Sequence, residues 1–150
     1  FHRGKRVQVL PAYIIDGVIY CEVYEENTDV DVFEGVLERL LPHCGRYPEP
    51  RSVIFMDNVS FHFVSQRLRD FFARAGVIIE YQMPYSPDLN PIEYLFGSVK
   101  NRIRKMFWED ADLIQGDCKF YLFMQIRVVG GEKKVARGHF RKAQIVESNL

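Results

Sequence analysis

The sequence predicts an α/β domain built on a mixed sheet with helices packed on its faces, and three features predict it. Asp16-Gly17 separates two runs rich in β-branched and aromatic residues, 7–15 and 18–24, a strong signal for a two-residue β-hairpin. After the hairpin, helix-periodic and strand-like segments alternate, an order that sets strands parallel in a sheet with helices over them. Val53-Ile54-Phe55-Met56 is an unbroken apolar run, the composition of a strand covered on both faces.

Taken in order, Val7 to Ile15 and Val18 to Tyr24 read as an antiparallel pair. Pro11 lacks the N–H that a ladder needs, so it predicts an edge position or a bulge. Thr28 and Asp31 have the spacing of a capping box, and Phe33, Val36, Leu37, Leu40 and Leu41 recur at helical spacing until Pro42 ends the run. Pro48 and Pro50 mark a loop before the apolar strand, which stops at Asp57. Val64, Leu68, Phe71, Phe72 and Ala75 form the stripe of a second helix, closed by Gly76 ahead of a short strand over 77–82. Pro84, Pro87 and Pro91 hold themselves and the residues before them in extended or turn geometry, so the connector is stiff. Asn90 as N-cap and Pro91 as first helical residue open a third helix with apolar positions Ile92, Leu95, Phe96, Val99, Ile103 and Met106. A further helix is expected over 112–128, ended by Gly130-Gly131, and a short basic helix over 133–142.

Size and apolar content suit one globular domain, with residues 1–110 as its core and 111–150 as a carboxy-terminal helical extension carrying a basic tail. Twenty basic residues balance twenty acidic ones, so total charge points to neither nucleic acid nor membrane and only local clustering can. Cys21, Cys44 and Cys118 are odd in number and far apart, which fits neither a disulfide framework nor a zinc site and points to a reducing compartment. No apolar run approaches the roughly 18 residues of a membrane span, and no secretory segment is present, so a soluble, non-secreted domain is expected. The chain opens at Phe1 inside the basic run His2-Arg3-Gly4-Lys5-Arg6, which reads as the interior of a longer protein.

Two acids stand where chemistry is expected. Asp57 closes a strand, and in open α/β sheets ligands gather beyond the carboxyl ends of strands. Glu93 lies in the first turn of the third helix, and 35 residues separate the two. Carboxylates from a strand end and a helix start offer oxygen-only ligation, which suits Mg2+ or Mn2+. A pair of such ions about 3.5–4 Å apart activates a water or hydroxyl and stabilises the leaving oxygen in phosphodiester chemistry, and needs at least a third carboxylate. At 100° per residue, Gly97, Lys100 and Arg104 share the face of Glu93, where cations could follow a phosphate backbone. Plainer readings stay open on the residues alone. Glu93 could complete a capping box with Asn90, Asp57-Asn58 could be an ordinary turn, and the basic face could simply be solvated. His62 could assist near the acids or equally be a packed or capping histidine.

Met56-Asp57-Asn58-Val59-Ser60-Phe61-His62 and Pro84-Tyr85-Ser86-Pro87-Asp88-Leu89-Asn90-Pro91-Ile92-Glu93 resemble the core of mariner-superfamily DDE transposases and their bacterial insertion-sequence relatives. The second motif is long and specific. Similarity runs from about Arg3 to Lys105, and Ala136-Arg137-Gly138-His139-Phe140-Arg141 resembles the family's closing segment. The resemblance implies a ribonuclease-H-like fold, an acidic triad binding two divalent metals, and hydrolytic nicking and strand transfer of transposon ends. On that mapping Asp57 is the second acid and Glu93 the third, both catalytic and metal-binding, with Mg2+ or Mn2+ as cofactor. DNA is the implied partner, contacted through Lys100, Arg104 and Lys105, in the nucleus of a eukaryote or the cytoplasm otherwise. No small-molecule cofactor and no membrane are implied, and a homodimer of the full-length parent stays open.

The departure from the family pattern is the first acid, which in the family sits on a central strand ahead of the hairpin. Asp16 occupies a turn and Glu22 shares a face with Tyr20 and Tyr24, so neither substitutes. The sequence therefore predicts a chain inactive alone, with either unpaired strand edges or direct pairing of 7–15 with 53–56. Helix-turn-helix domains for sequence-specific recognition are absent as well. The alternative is a decayed or domesticated remnant that only binds nucleic acid, through Lys100, Arg102, Arg104, Lys105 and the tail residues Lys133, Lys134, Arg137, Arg141 and Lys142. An unrelated α/β protein binding a phosphate-linked metal at Asp57 is a third reading, but the chain has no glycine-rich phosphate loop.

Overall fold

A computed structural model describes residues 7–25, 29–56, 64–82 and 87–143. These divide into two compact units, one formed by 1–27 with 87–150 and the other by 28–86. Helices and strands alternate as an α/β chain should. The described strands form one antiparallel pair in the first unit and one parallel pair in the second.

In the first unit, β1 (Gln8–Ile14) and β2 (Gly17–Tyr24) are the predicted hairpin. Its turn is Ile15-Asp16 and not Asp16-Gly17. The register shifts by one between Ala12 and Tyr13, beside Pro11, so that Ile14 pairs with Gly17 and two residues are left to turn. Gly17 has φ of 129°, a conformation closed to residues with a side chain. Helix α3 (Pro91–Met106) begins at the predicted cap, with Asn90 Oδ1 accepting from the Ile92 N–H at 3.2 Å. Its stripe buries Leu95, Val99 and Ile103.

The expected helix over 112–128 is two helices, α4 (Ala111–Gly116) and α5 (Cys118–Gly130). The break is at Asp117, whose carboxylate accepts from the Phe120 N–H at 3.0 Å and so starts a new helix. Helix α6 (Lys133–Lys142) follows as predicted. Helices α3, α4 and α5 close over β2 around one core that includes Cys21, Val23, Leu95, Ile114, Tyr121 and Ile126, so residues beyond 110 share a core with the hairpin. Burial pushes the Cys21 thiol up to about 11, a small apolar filler rather than a reactive thiolate. Hairpin and α5 meet backbone to backbone: a Cβ at Gly17 would strike the Gly130 carbonyl, and one at Gly130 would strike Val18.

In the second unit, α1 (Val30–Leu40) is capped by Asp29, whose side chain accepts from Val32 N–H at 2.8 Å, instead of by Thr28, which lies outside the described residues. Strands β3 (Val53–Met56) and β4 (Ile78–Tyr81) pair in parallel, and α2 (Gln66–Ala75) connects them. Ser65 caps α2 at its start and Gly76, with φ of 75°, ends it. Leu68 and Phe72 carry its packing, while Phe71, placed in the stripe by periodicity, is 39% exposed. The expectation that β3 is covered on both faces fails: Met56 is buried, but Val53 and Phe55 are 45% and 48% exposed. Alternate residues of a strand point to opposite faces, and an apolar run states only that both could be covered.

Glu34 of α1 is buried and accepts from the Ser65 N–H at 3.0 Å, and Arg67 reaches it at 3.4 Å and Glu38 at 2.6 Å. Hydrogen bonding from the Ser65 hydroxyl, against the desolvation of burial, holds the Glu34 carboxyl below the usual carboxylate range. Among the described residues, no helix is long and apolar enough to cross a membrane.

Candidate nuclease site and its supporting contacts

Glu93 projects from the first turn of α3. Its side chain is exposed, and among the described residues its carboxylate has no hydrogen-bond or ion-pair partner. The capping function falls instead to Asn90. A partner-free carboxylate on a rigid helix is the kind of hard oxygen donor that Mg2+ or Mn2+ takes. Asp57 and His62 lie outside the described residues, as do Pro84, Tyr85 and Ser86 of the proline motif. Among the described residues no group of three or more His, Cys, Asp or Glu side chains could hold a metal ion.

The face predicted to continue from Glu93 is open. Lys100 and Arg104 are exposed on it, Lys105 is exposed about 120° around the helix from Glu93, and a Cβ added at Gly97 would meet nothing within 4 Å. At 1.5 Å per residue, Lys100 stands about 10 Å and Arg104 about 16 Å along the axis from Glu93. Arg102 differs from these cations. Its Nε donates to Gln125 Oε1 at 2.7 Å, which ties α3 to α5.

The turn that carries Glu93 is anchored by contacts that sequence reasoning missed. Tyr94 donates its hydroxyl to the Asp88 carbonyl at 2.8 Å, drawing the short 3-10 turn Pro87–Leu89 against the helix start. Lys142 lies over the Tyr94 ring at 4.6 Å, a cation–π contact. One turn on, Ser98 Oγ is 3.0 Å from His139 Nε2, and Tyr13 Oη is 2.8 Å from His139 Nδ1. The His139 imidazole of α6 thus links α3 to β1. Desolvation by burial, with the Lys142 charge second, lowers its pKa, which favours the neutral ring, in which one nitrogen donates and the other accepts. Burial likewise pushes the Tyr13 hydroxyl up to about 12. The only sequence signal for His139 was its place in the closing segment 136–141.

Three further charged candidates, Glu22, Asp16 and Arg137, are engaged, while Lys133, Lys134 and Arg141 are exposed. Tyr20 and Tyr24 both donate to the Glu22 carboxylate, which confirms their shared strand face. Asp16 pairs with Arg137 across 3.1 Å, so this tail arginine is held against the hairpin turn.

A family model described as DDE superfamily endonuclease matches residues 1–115, a span that contains the hairpin, Asp57, the proline motif, Glu93 and the cationic face of α3. No curated protein and no solved structure matches the chain. A match over this much of the sequence shows the family, and the chain belongs to the DDE superfamily endonucleases.

Proposed function

We propose that the chain is part of a mariner-type DDE transposase, in which Asp57 and Glu93 are catalytic metal ligands for cleavage and transfer of DNA strands. The observation that carries this reading is the exposed Glu93 carboxylate at the start of α3, without a partner among the described residues, in line with exposed Lys100 and Arg104 and with open space at Gly97 between them. Divalent cations, when bound, activate the attacking oxygen and stabilise the leaving one. Glu93 supplies an anionic oxygen from a turn that Asn90, Tyr94 and His139 hold in place. Lys100, Arg104 and Lys105 neutralise phosphates and set the strand along the helix without reading its sequence. The sequence motifs assign two acids where the chemistry needs three, so these 150 residues by themselves bind metal weakly and do not cut.

The test is calorimetric titration with Mn2+ beside a plasmid-nicking assay. Glu93→Gln and Asp57→Asn are each expected to weaken Mn2+ binding by at least roughly tenfold, with the far-ultraviolet circular dichroism unchanged. Equal Mn2+ binding by wild type and both variants overturns the ligand assignment, and metal-dependent nicking by the 150-residue chain overturns its inactivity. A second reading, a remnant that only binds nucleic acid, is favoured by the same exposed Lys100, Arg104 and Lys105. Salt-sensitive DNA binding without any Mn2+ binding selects it.

A further inference from the structure

We infer that a groove on the flank of α3 is a seat for unpaired nucleobases. The groove encloses about 660 Å³, and among the described residues its only charged lining residues are Lys100 and Arg104. Its walls are apolar and aromatic, with Phe96 and Phe107 on α3 and its end, Val7 and Val9 ahead of and within β1, and Trp108 at one end. Trp108 is 87% exposed, the most exposed of the chain's large apolar side chains among the described residues, and its ring meets Phe107 edge-on at 5.4 Å.

Each feature has a chemical reading. An exposed indole continuous with an apolar groove is a flat stacking surface, and every base has a π-face that can stack on it. Lys100 and Arg104 are one helical turn apart on the rim, where they can hold phosphates while the attached bases turn into the apolar groove. A paired duplex hides its base faces by stacking and offers the same cations only its backbone. Charge complementarity therefore selects a polyanion with exposed bases, a single strand or an unpaired end, over an apolar peptide or a second copy of this neutral chain. The inference rests on the reading of the chain as a protein that acts on DNA and adds the form of DNA that it holds.

Trp108 is the chain's single tryptophan, so its fluorescence reports the groove alone. The full 150-residue chain in EDTA is titrated with a thymidine oligomer of about ten nucleotides, with an abasic oligomer of equal length, and with a duplex. The thymidine oligomer should quench Trp108 and bind more tightly than the abasic one, and the duplex should bind without quenching. Read by the anisotropy of an end-labelled oligomer, since these variants lack the indole, Trp108→Ala should weaken thymidine-oligomer binding by roughly ten- to a hundredfold, while Trp108→Phe, which keeps a stacking surface, should restore most of it. Equal affinity for thymidine and abasic oligomers with unchanged emission overturns the inference. So does a concentration-dependent change of emission without DNA that tracks a dimer by light scattering, since a second copy then fills the groove. Because EDTA removes divalent metal, a null result here with Mn2+ binding intact removes only the base seat. Loss of Mn2+ binding with quenching intact removes only the metal assignment.

Discussion

His139 is the residue through which the chain's chemistry and its stability meet. Its two ring nitrogens lie within hydrogen-bond range of Tyr13 and Ser98, which are 126 and 41 residues away in sequence, so no local pattern could have exposed the contact. Protonation would turn both nitrogens into donors in a partly buried site beside Lys142, which is why the pKa is lowered. The unfolded chain then binds more protons than the folded one below the ordinary histidine pKa of about 6.5. Stability is therefore full above that pH and falls as pH drops towards the folded value. Denaturant unfolding of wild type between about pH 7 and pH 5 should show this loss, and His139→Gln should flatten it. At pH 7 the same variant should lose about 1–3 kcal/mol through its two hydrogen bonds. A pH slope unchanged in the variant would place the titrating group elsewhere. The Glu34 carboxyl, held below the usual range, acts with the same sign but in more acid solution.

At the scale of elements, α3 was fully legible and α5 was not. Asn90-Pro91 is a local start signal whose meaning does not depend on the rest of the fold, and the structure caps the helix there. The start of α5 is set by the Asp117 carboxylate accepting from the Phe120 N–H, a local bond that competes with continuing the preceding helix and that apolar periodicity does not record. Gly130 was expected to do no more than end a helix. Its second purpose, allowing Val18 and the hairpin turn to approach the helix, exists only once both elements are in place. Gly130→Ala should therefore destabilise the domain by about 1–3 kcal/mol from overpacking, although alanine favours a helix over glycine by about 1 kcal/mol. Chemical denaturation measures it, and a stabilised variant would show that the close approach is easily relieved.

Across the whole molecule, zero net charge conceals a local cationic face, because the acids and bases are sorted by position and not by total. If Lys100, Arg104 and Lys105 each neutralise one phosphate, the logarithm of the duplex association constant should fall against the logarithm of salt with a slope of about −3. Lys100→Ala should reduce that slope by about 0.9, which fluorescence anisotropy over a salt series measures. An unchanged slope would move the phosphate contacts off α3. Arg137 and Lys142 contribute less than their charges suggest, since one is paired with Asp16 and the other lies over Tyr94.

The hairpin, the stop of α2 at Gly76 and the start of α3 at Asn90-Pro91 were readable from the chain alone because each is set by neighbours within a few residues, through φ preference, capping and periodicity. Tertiary structure decided which apolar faces are covered, leaving Val53, Phe55 and Trp108 open while burying Cys21 and Tyr121. It also decided which polar groups are used up, taking Asp16, Glu22 and Arg137 into contacts while leaving Glu93 unpartnered among the described residues. The physical reason is that burial and pairing are properties of surfaces meeting across the chain, and a linear pattern records only which surfaces are available to meet.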